Sequence, residues 1–318
     1  MDCSAAATNV MYAPTSTHRK VTAPELQARK RGEKIAMVTA YDYTMARLVD
    51  AAGVDMVLVG DSLGMVVQGL GTTIPVTLEE MAYHCRAVAR GLARAHMVGD
   101  LPFMSYQVSP SQAVESAGRL MKEGACESVK LEGGVEVAEH IQRIVRAGIP
   151  VVGHVGLTPQ SVHALGGFKV QGRGEAAARV LEDARAVAQA GAFAVVLEAI
   201  PPDLAAEITA SLDVPTIGIG AGAACDGQVL VCTDLLGMGL GRAPKFAKAF
   251  SNVGEIAVES FARFVAEVRE GAFPAVGNTY RPNVGAAPPP DGARPPPETH
   301  APHAELDFDA PLAPDPWH

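Results

Sequence analysis

The sequence predicts an α/β protein closed into a (β/α)8 TIM barrel. Three observations carry that expectation. From Lys34 onward, short apolar runs alternate with amphipathic stretches for nearly two hundred residues, and that alternation lays strands parallel. Eight strand candidates follow one another without a break in composition, which favours a closed barrel over a doubly wound sheet. Five of the apolar runs also stop at an ionisable side chain: Asp61 after Met56-Val57-Leu58-Val59-Gly60, Asp100 after Met97-Val98-Gly99, Glu132 after Ser128-Val129-Lys130-Leu131, His154 after Val151-Val152-Gly153, and Glu198 after Ala194-Val195-Val196-Leu197. Buried parallel strands read as continuous apolar runs, so these five point chemistry at one rim.

Taken in order, residues 1–20 show no periodicity and read as a flexible arm. Residues 21–31 carry a helical pattern opened by Thr22 with Glu25 three positions later, a capping box, and are suited to plug the bottom of a barrel. The barrel domain is expected over 21–273. Its strands are placed at 34–39, 55–60, 96–100, 128–132, 150–154, 194–198, 215–219 and 228–233, with helices at 42–52, 77–92, 110–123, 135–147, 174–190 and 201–211. Several of these helices close on a glycine at the C′ position: Gly53, Gly124, Gly148 and Gly191. Residues 246–270 read as one or two helices packed outside the barrel. From 274 to 318 the chain is expected to be a disordered, Pro-rich acidic tail, since 281–318 holds two Pro-Pro-Pro runs and six acids against two arginines. A Pro-rich ligand for a partner domain is the other reading of that tail.

Composition narrows the function classes. A net charge of −9 lacks the basic footprint of a nucleic-acid binder. The five cysteines, Cys3, Cys85, Cys126, Cys225 and Cys232, form no C-x-x-C pair, so neither a disulfide framework nor a zinc cluster is indicated. No run approaches the length needed to cross a bilayer. A cytoplasmic protein acting on small molecules is expected, although the acid-poor segment 1–30 also suits a mitochondrial transit sequence.

The strand ends suggest the chemistry. Asp61, Asp100 and Glu132 would converge from strands 2, 3 and 4, and like charges that close repel unless a cation sits among them. An all-oxygen set suits Mg²⁺; taken singly, each acid also reads as a turn or helix cap. Lys130 lies two residues before Glu132, so both face the same side of the strand. It suits an anionic substrate or a developing enolate, or else a structural ion pair. His154 reads as a neutral donor or proton relay, or as a core histidine bonded to backbone. Glu198 ends an apolar strand where burial would raise its carboxyl toward the range of a general base, with a salt bridge as the alternative. Gly218-Ile219-Gly220-Ala221-Gly222 fits phosphate contact or close packing equally. The loops 65–75 and 165–174, the second carrying Lys169 and Arg173, have the composition of lids or of ordinary surface turns.

Several motifs in one order resemble the ketopantoate hydroxymethyltransferase family. They are Thr39-Ala40-Tyr41-Asp42-Tyr43, Val59-Gly60-Asp61-Ser62-Leu63-Gly64-Met65, Thr73-Ile74-Pro75-Val76-Thr77, Asp100-Leu101-Pro102-Phe103-Met104, Val129-Lys130-Leu131-Glu132-Gly133-Gly134, Gly153-His154-Val155-Gly156-Leu157-Thr158-Pro159-Gln160, Val170-Gln171-Gly172-Arg173 and Pro244-Lys245-Phe246. The resemblance covers about residues 25–272. It implies a barrel of the phosphoenolpyruvate/pyruvate type assembled as a homodecamer. It also implies transfer of a hydroxymethyl group from 5,10-methylenetetrahydrofolate to 3-methyl-2-oxobutanoate, giving 2-dehydropantoate through a Mg²⁺-stabilised enolate. Residue by residue, Asp61, Asp100 and Glu132 match the metal-site acids, Asp61, Ser62, Asp100 and Lys130 the oxo-acid contacts, Glu198 the proton acceptor, and His154 the histidine beside the new hydroxyl. Two other readings remain at this stage: a lyase or mutase of the phosphoenolpyruvate mutase kind, and a silent barrel with a docking tail.

Overall fold

The apolar runs pair into one closed, all-parallel barrel. The structure is a computed structural model that describes residues 19–239 and 244–280. Most of the expected arm (1–18) and most of the expected tail (281–318) lie outside the described residues. The strands are β1 Ile35–Thr39, β2 Met56–Val59, β3 His96–Asp100, β4 Ser128–Glu132, β5 Val151–Gly156, β6 Ala194–Glu198, β7 Thr216–Ile219 and β8 Gly227–Leu230. Each pairs with the next, and β8 returns to β1 with Met37 opposite Val229. The α-helices among the described residues are α1 Ala23–Gln27, α2 Tyr43–Ala51, α3 Leu63–Val66, α4 Leu78–Ala89, α5 Pro110–Gly124, α6 Ala138–Arg146, α7 Val162–Leu165, α8 Ala176–Gln189, α9 Pro202–Ser211, α10 Cys232–Leu236 and α11 Val253–Glu270.

Local chemistry sets the helix starts. Asp42 accepts from Met45 N–H and Ser109 from Gln112 N–H, while Thr77 and Glu80 form a reciprocal capping box. Two glycines reveal which strand face looks outward. A Cβ on Gly99 would strike Cys126 and approach Leu120 of α5, and one on Gly153 would lie 2.9 Å from Val187 of α8. Positions 99 and 153 therefore face the helices, and strand alternation turns Val98, Asp100, Val152 and His154 into the lumen. The lumen core is built by Ile35, Met37, Met56, Leu58, Val98, Val152, Val196, Ile217, Ile219 and Val229.

Val21, Ala23 and Leu26 join that same cluster, so the N-terminal segment plugs the barrel floor. Its helix is shorter than the sequence predicts, ending at Gln27 instead of Arg31. Residues beyond it continue as tighter turns, Arg29 N–H donating to Leu26 O and Lys30 N–H to Gln27 O, and their side chains make ion pairs. Arg29 reaches Asp55 at 2.9 Å, Lys30 reaches Asp226 at 2.8 Å, and Arg31 adopts φ 60°. The expected glycine stop at Gly124 is also displaced by one residue. Ala125 takes the left-handed conformation, and Gly124 is the last helical residue, at a point where a Cβ would sit 2.9 Å from Cys85 Cβ.

The chain divides into two compact units, one running through Cys232 and the other from Thr233. In the second, the stretch 246–270 expected to be one or two helices holds the single helix α11, which begins only at Val253. The segment before it is held to α10 by Phe250 N–H donating to Leu235 O and Ser251 Oγ donating to Leu236 O. No helix among the described residues is long and apolar enough to cross a membrane.

Leu26 is fully buried, so Leu26→Ala should cost about 2–5 kcal/mol in denaturant unfolding. Burial pushes the Asp226 carboxyl up, but hydrogen bonds from Lys30 and from the backbone of Thr216 and Arg31 outweigh it and hold the group below the usual range. That stabilisation is present above the unfolded value, about pH 4, and disappears as pH falls through the folded value. Asp226→Asn should therefore destabilise by about 3 kcal/mol at pH 7, with the difference from the parent protein shrinking below about pH 4 in pH-resolved thermal melts.

Candidate active site

Strand register delivers the ionisable groups side by side. Asp100 lies opposite Lys130, Glu132 opposite His154, and Gly156 opposite Glu198. Asp61 follows β2 and donates its backbone N–H to Asp100 Oδ2 at 3.4 Å. At the centre stands Lys130, whose Nζ is 2.8 Å from Asp100 Oδ1, 3.8 Å from Glu132 Oε1 and 3.1 Å from His154 Nδ1. Asp61, Asp100, Lys130, Glu132 and His154 are all buried. Glu198 is more open, its side chain 16% exposed. Ser62 sits at the start of α3 with its Oγ 2.8 Å from the Tyr41 hydroxyl.

The histidine's tautomer follows from its neighbours. Lys130 has only hydrogens to offer, so Nδ1 accepts from it and Nε2 carries the ring proton. Nε2 lies 3.2 Å from Glu198 Oε2, within hydrogen-bonding distance but not aligned. Burial and then the Lys130 charge hold the imidazole below its ordinary pKa, so it is neutral at pH 7.

Charge in this cluster does not balance, with three carboxylates facing one ammonium. Burial lifts the Asp61 carboxyl to about 7, the charge of Asp100 adding to it against Lys130. Glu132 is raised well above the usual range by burial, with Asp61 and Asp100 contributing and Lys130 opposing. Lys130 is moved the other way. Burial disfavours its charge, but Asp100, Glu132 and Asp61 overcome that and hold it above the ordinary lysine value. Another cation is the simplest means of ionising all three acids together.

The donor set fits a hard divalent ion in one specific respect. Asp100 Oδ1 is buried and makes no aligned hydrogen bond even with Lys130 beside it. Among the described residues, no three His, Cys, Asp or Glu side chains converge into a group able to hold a metal by themselves. The acids thus form no ready-made cage. Any ion there would draw part of its shell from substrate oxygens and water, which is how Mg²⁺ is usually held.

Strand-end reasoning missed Gln160, which follows β5 in a short 3₁₀ turn. Its Nε2 donates to Asp61 Oδ2 at 2.9 Å and its backbone N–H to Glu132 Oε2 at 3.0 Å. It also missed Tyr41 and Tyr106. The only sequence signal for Gln160 was its place at the end of the Gly153-to-Gln160 motif. The glycines at 218–222 support the packing reading, since a Cβ on Gly222 would sit 2.8 Å from Pro202 and one on Gly218 2.9 Å from Cys225 Sγ. In the 165–174 loop, Lys169 and Arg173 are exposed, and Gln171 N–H donates to Ala199 O, the residue after Glu198.

Known proteins similar in sequence to this chain fall in one family. The family model described as ketopantoate hydroxymethyltransferase matches residues 20–276. The chain is 58% identical over 270 residues to the 3-methyl-2-oxobutanoate hydroxymethyltransferase of Anaeromyxobacter sp. (strain Fw109-5), covering 83% of this chain and 88% of that one. It is 55% identical over 264 residues to the protein of the same name from Syntrophotalea carbinolica, covering 82% and 99%. Among solved structures, the phosphoenolpyruvate phosphomutase of Streptomyces platensis subsp. rosaceus aligns with a TM-score of 0.54 at 16% identity, covering 82% of this chain and 92% of that one. At that identity the likeness speaks to the barrel alone.

Gly156 has φ 95°, and a Cβ there would collide with Glu198 O. Gly156→Ala should cost about 3 kcal/mol in chemical denaturation, more than Gly148→Ala, where φ is also positive but the space is open and only about 1–2 kcal/mol of backbone strain applies.

Proposed function

The chain belongs to the ketopantoate hydroxymethyltransferase family, and from that premise we propose that it transfers a hydroxymethyl group from 5,10-methylenetetrahydrofolate to 3-methyl-2-oxobutanoate, giving 2-dehydropantoate. The observation that carries the reading is the buried surplus of negative charge at Asp61, Asp100 and Glu132 around the single ammonium of Lys130. Such a pocket suits a divalent cation together with a small 2-oxo acid. Asp61 and Asp100 would hold Mg²⁺ directly, with Glu132 completing or orienting its shell. Once bound, Mg²⁺ supplies Lewis-acid polarisation of the keto and carboxylate oxygens.

The chain's own residues account for the rest. Ser62, oriented by the Tyr41 hydroxyl, and Lys130 meet the oxo acid's oxygens. Glu198 takes the C3 proton. It is the most open of these ionisable side chains, as a base meeting substrate at the rim must be. Both carbon–nitrogen bonds of the folate methylene break: water adds its oxygen to that carbon, the enolate carbon forms the new carbon–carbon bond to it, and the two freed nitrogens take up one proton from water and the proton from C3. Overall one water is consumed and tetrahydrofolate leaves. His154, with Nε2–H toward Glu198 and Nδ1 toward Lys130, stands where it can donate to the new hydroxyl or steady the protonated base. Cytoplasmic location and a homodecamer complete the proposal; mass photometry of the full chain tests the assembly.

Purified protein with Mg²⁺ should form 2-dehydropantoate from the oxo acid and methylenetetrahydrofolate, followed by mass spectrometry, and chelation with EDTA should stop it. Absence of product in the presence of both substrates and metal would reject the assignment. Glu198→Gln should slow exchange of the C3 proton into D₂O, read by NMR, by about 10²–10⁴-fold; exchange at the parent rate would remove Glu198 from the proton transfer.

A further inference from the structure

Gln160 and Tyr106 lie among the carboxylates without belonging to any strand. Both are buried, at 4% and 1% exposure. Every polar capacity of the Gln160 amide is used. Its two Nε2 hydrogens go to Asp61 Oδ2 and Leu101 O, each at 2.9 Å. Its Oε1 accepts from the Tyr106 hydroxyl at 2.9 Å and from Gln107 Nε2 at 3.1 Å. Turning the amide over would set its oxygen against two acceptors, so the surrounding network dictates its orientation. The Tyr106 hydroxyl is itself fixed at the end of β4, taking a hydrogen bond from Glu132 N–H at 3.2 Å and lying 2.9 Å from Glu132 O. Burial holds the phenol well above its ordinary pKa, which keeps it a donor at pH 7.

We propose that Gln160, oriented by Tyr106, is a positioning residue that occupies Asp61 Oδ2 through its side chain and Glu132 Oε2 through its backbone N–H, leaving each carboxylate one oxygen to offer a cation or the oxo acid. The assignment rests on the metal-assisted reading above. It explains why a neutral amide stands here. Arginine or lysine would cancel the negative charge that attracts the cation, and a fourth buried carboxylate would add repulsion with no donor. An amide supplies donors to buried acids at no cost in charge. Supporting groups of this kind are commonly worth about 10–100-fold in metal affinity.

The test uses the full chain with 3-methyl-2-oxobutanoate and no folate, with Mn²⁺ as the probe and its affinity read by electron paramagnetic resonance and calorimetry. Gln160→Met, similar in length but without donors, should weaken Mn²⁺ binding by about 10–100-fold, and Tyr106→Phe by about 10-fold. The double variant should bind no more weakly than Gln160→Met alone, because the hydroxyl acts through the amide. A purely structural pair would lower the melting temperature and leave the affinity of the folded protein untouched. Unchanged Mn²⁺ affinity in folded Gln160→Met overturns the proposal. If that variant does not fold, unchanged affinity in Tyr106→Phe does so, and additive losses in the double variant remove Tyr106 from the chain of action. Parent protein that makes 2-dehydropantoate while the variants bind Mn²⁺ normally sinks this inference alone. Parent protein that binds no Mn²⁺ sinks it together with the metal-assisted reading.

Discussion

The site depends on a buried ammonium that is outnumbered. Lys130 sits 2.8 Å from Asp100 and 3.8 Å from Glu132, with Asp61 hydrogen-bonded to the same Asp100 carboxylate through its backbone. Removing charges from water is costly, and one lysine offsets only part of that cost for three acids. In a looser fold the carboxylates would move apart. Here β2, β3 and β4 are tied by ladder hydrogen bonds and fixed in register, so the repulsion persists as a preference for positive charge. The raised carboxyls of Asp61 and Glu132 express the same imbalance.

The other half of the site is built by backbone approach. Gly156 at φ 95° lets β5 lie against Glu198 O, and Leu157 N–H donates to that oxygen at 2.9 Å. Directly after Glu198, Ala199 takes φ 47°, a left-handed conformation unusual for a residue with a Cβ. It is held there by donating to Ile219 O and accepting from Gln171 N–H. Strain at such a position persists only where its surroundings over-determine it. The chain turns sharply at the seam that carries His154 and Glu198, whose side chains lie 3.2 Å apart.

Much of this was legible residue by residue. Period-two patterning placed Lys130 and Glu132 on one face with Leu131 between them, and both point into the lumen beside Asp100. The ends of β3, β4 and β6 fell where the apolar runs stop at Asp100, Glu132 and Glu198. Helix α1 ends sooner than its pattern, which continues past Gln27 into residues whose side chains pair with Asp55 and Asp226, distant in sequence. Gln160 and Tyr106 escaped notice altogether. A neutral amide and a phenol in loops carry no periodic signal, and their partners lie 99 and 26 positions away.

The sequence by itself determined the alternation of strands and helices, that Lys130 and Glu132 share one strand face, and which strands end in an acid or a histidine, because those properties follow from local patterning. Only the tertiary structure decided that closure of the barrel sets these groups against one another, that Gln160 bridges two of the acids, and that Gly156 and Ala199 shape the approach to Glu198. Those outcomes come from contacts between segments far apart in the chain, whose distances depend on register and packing.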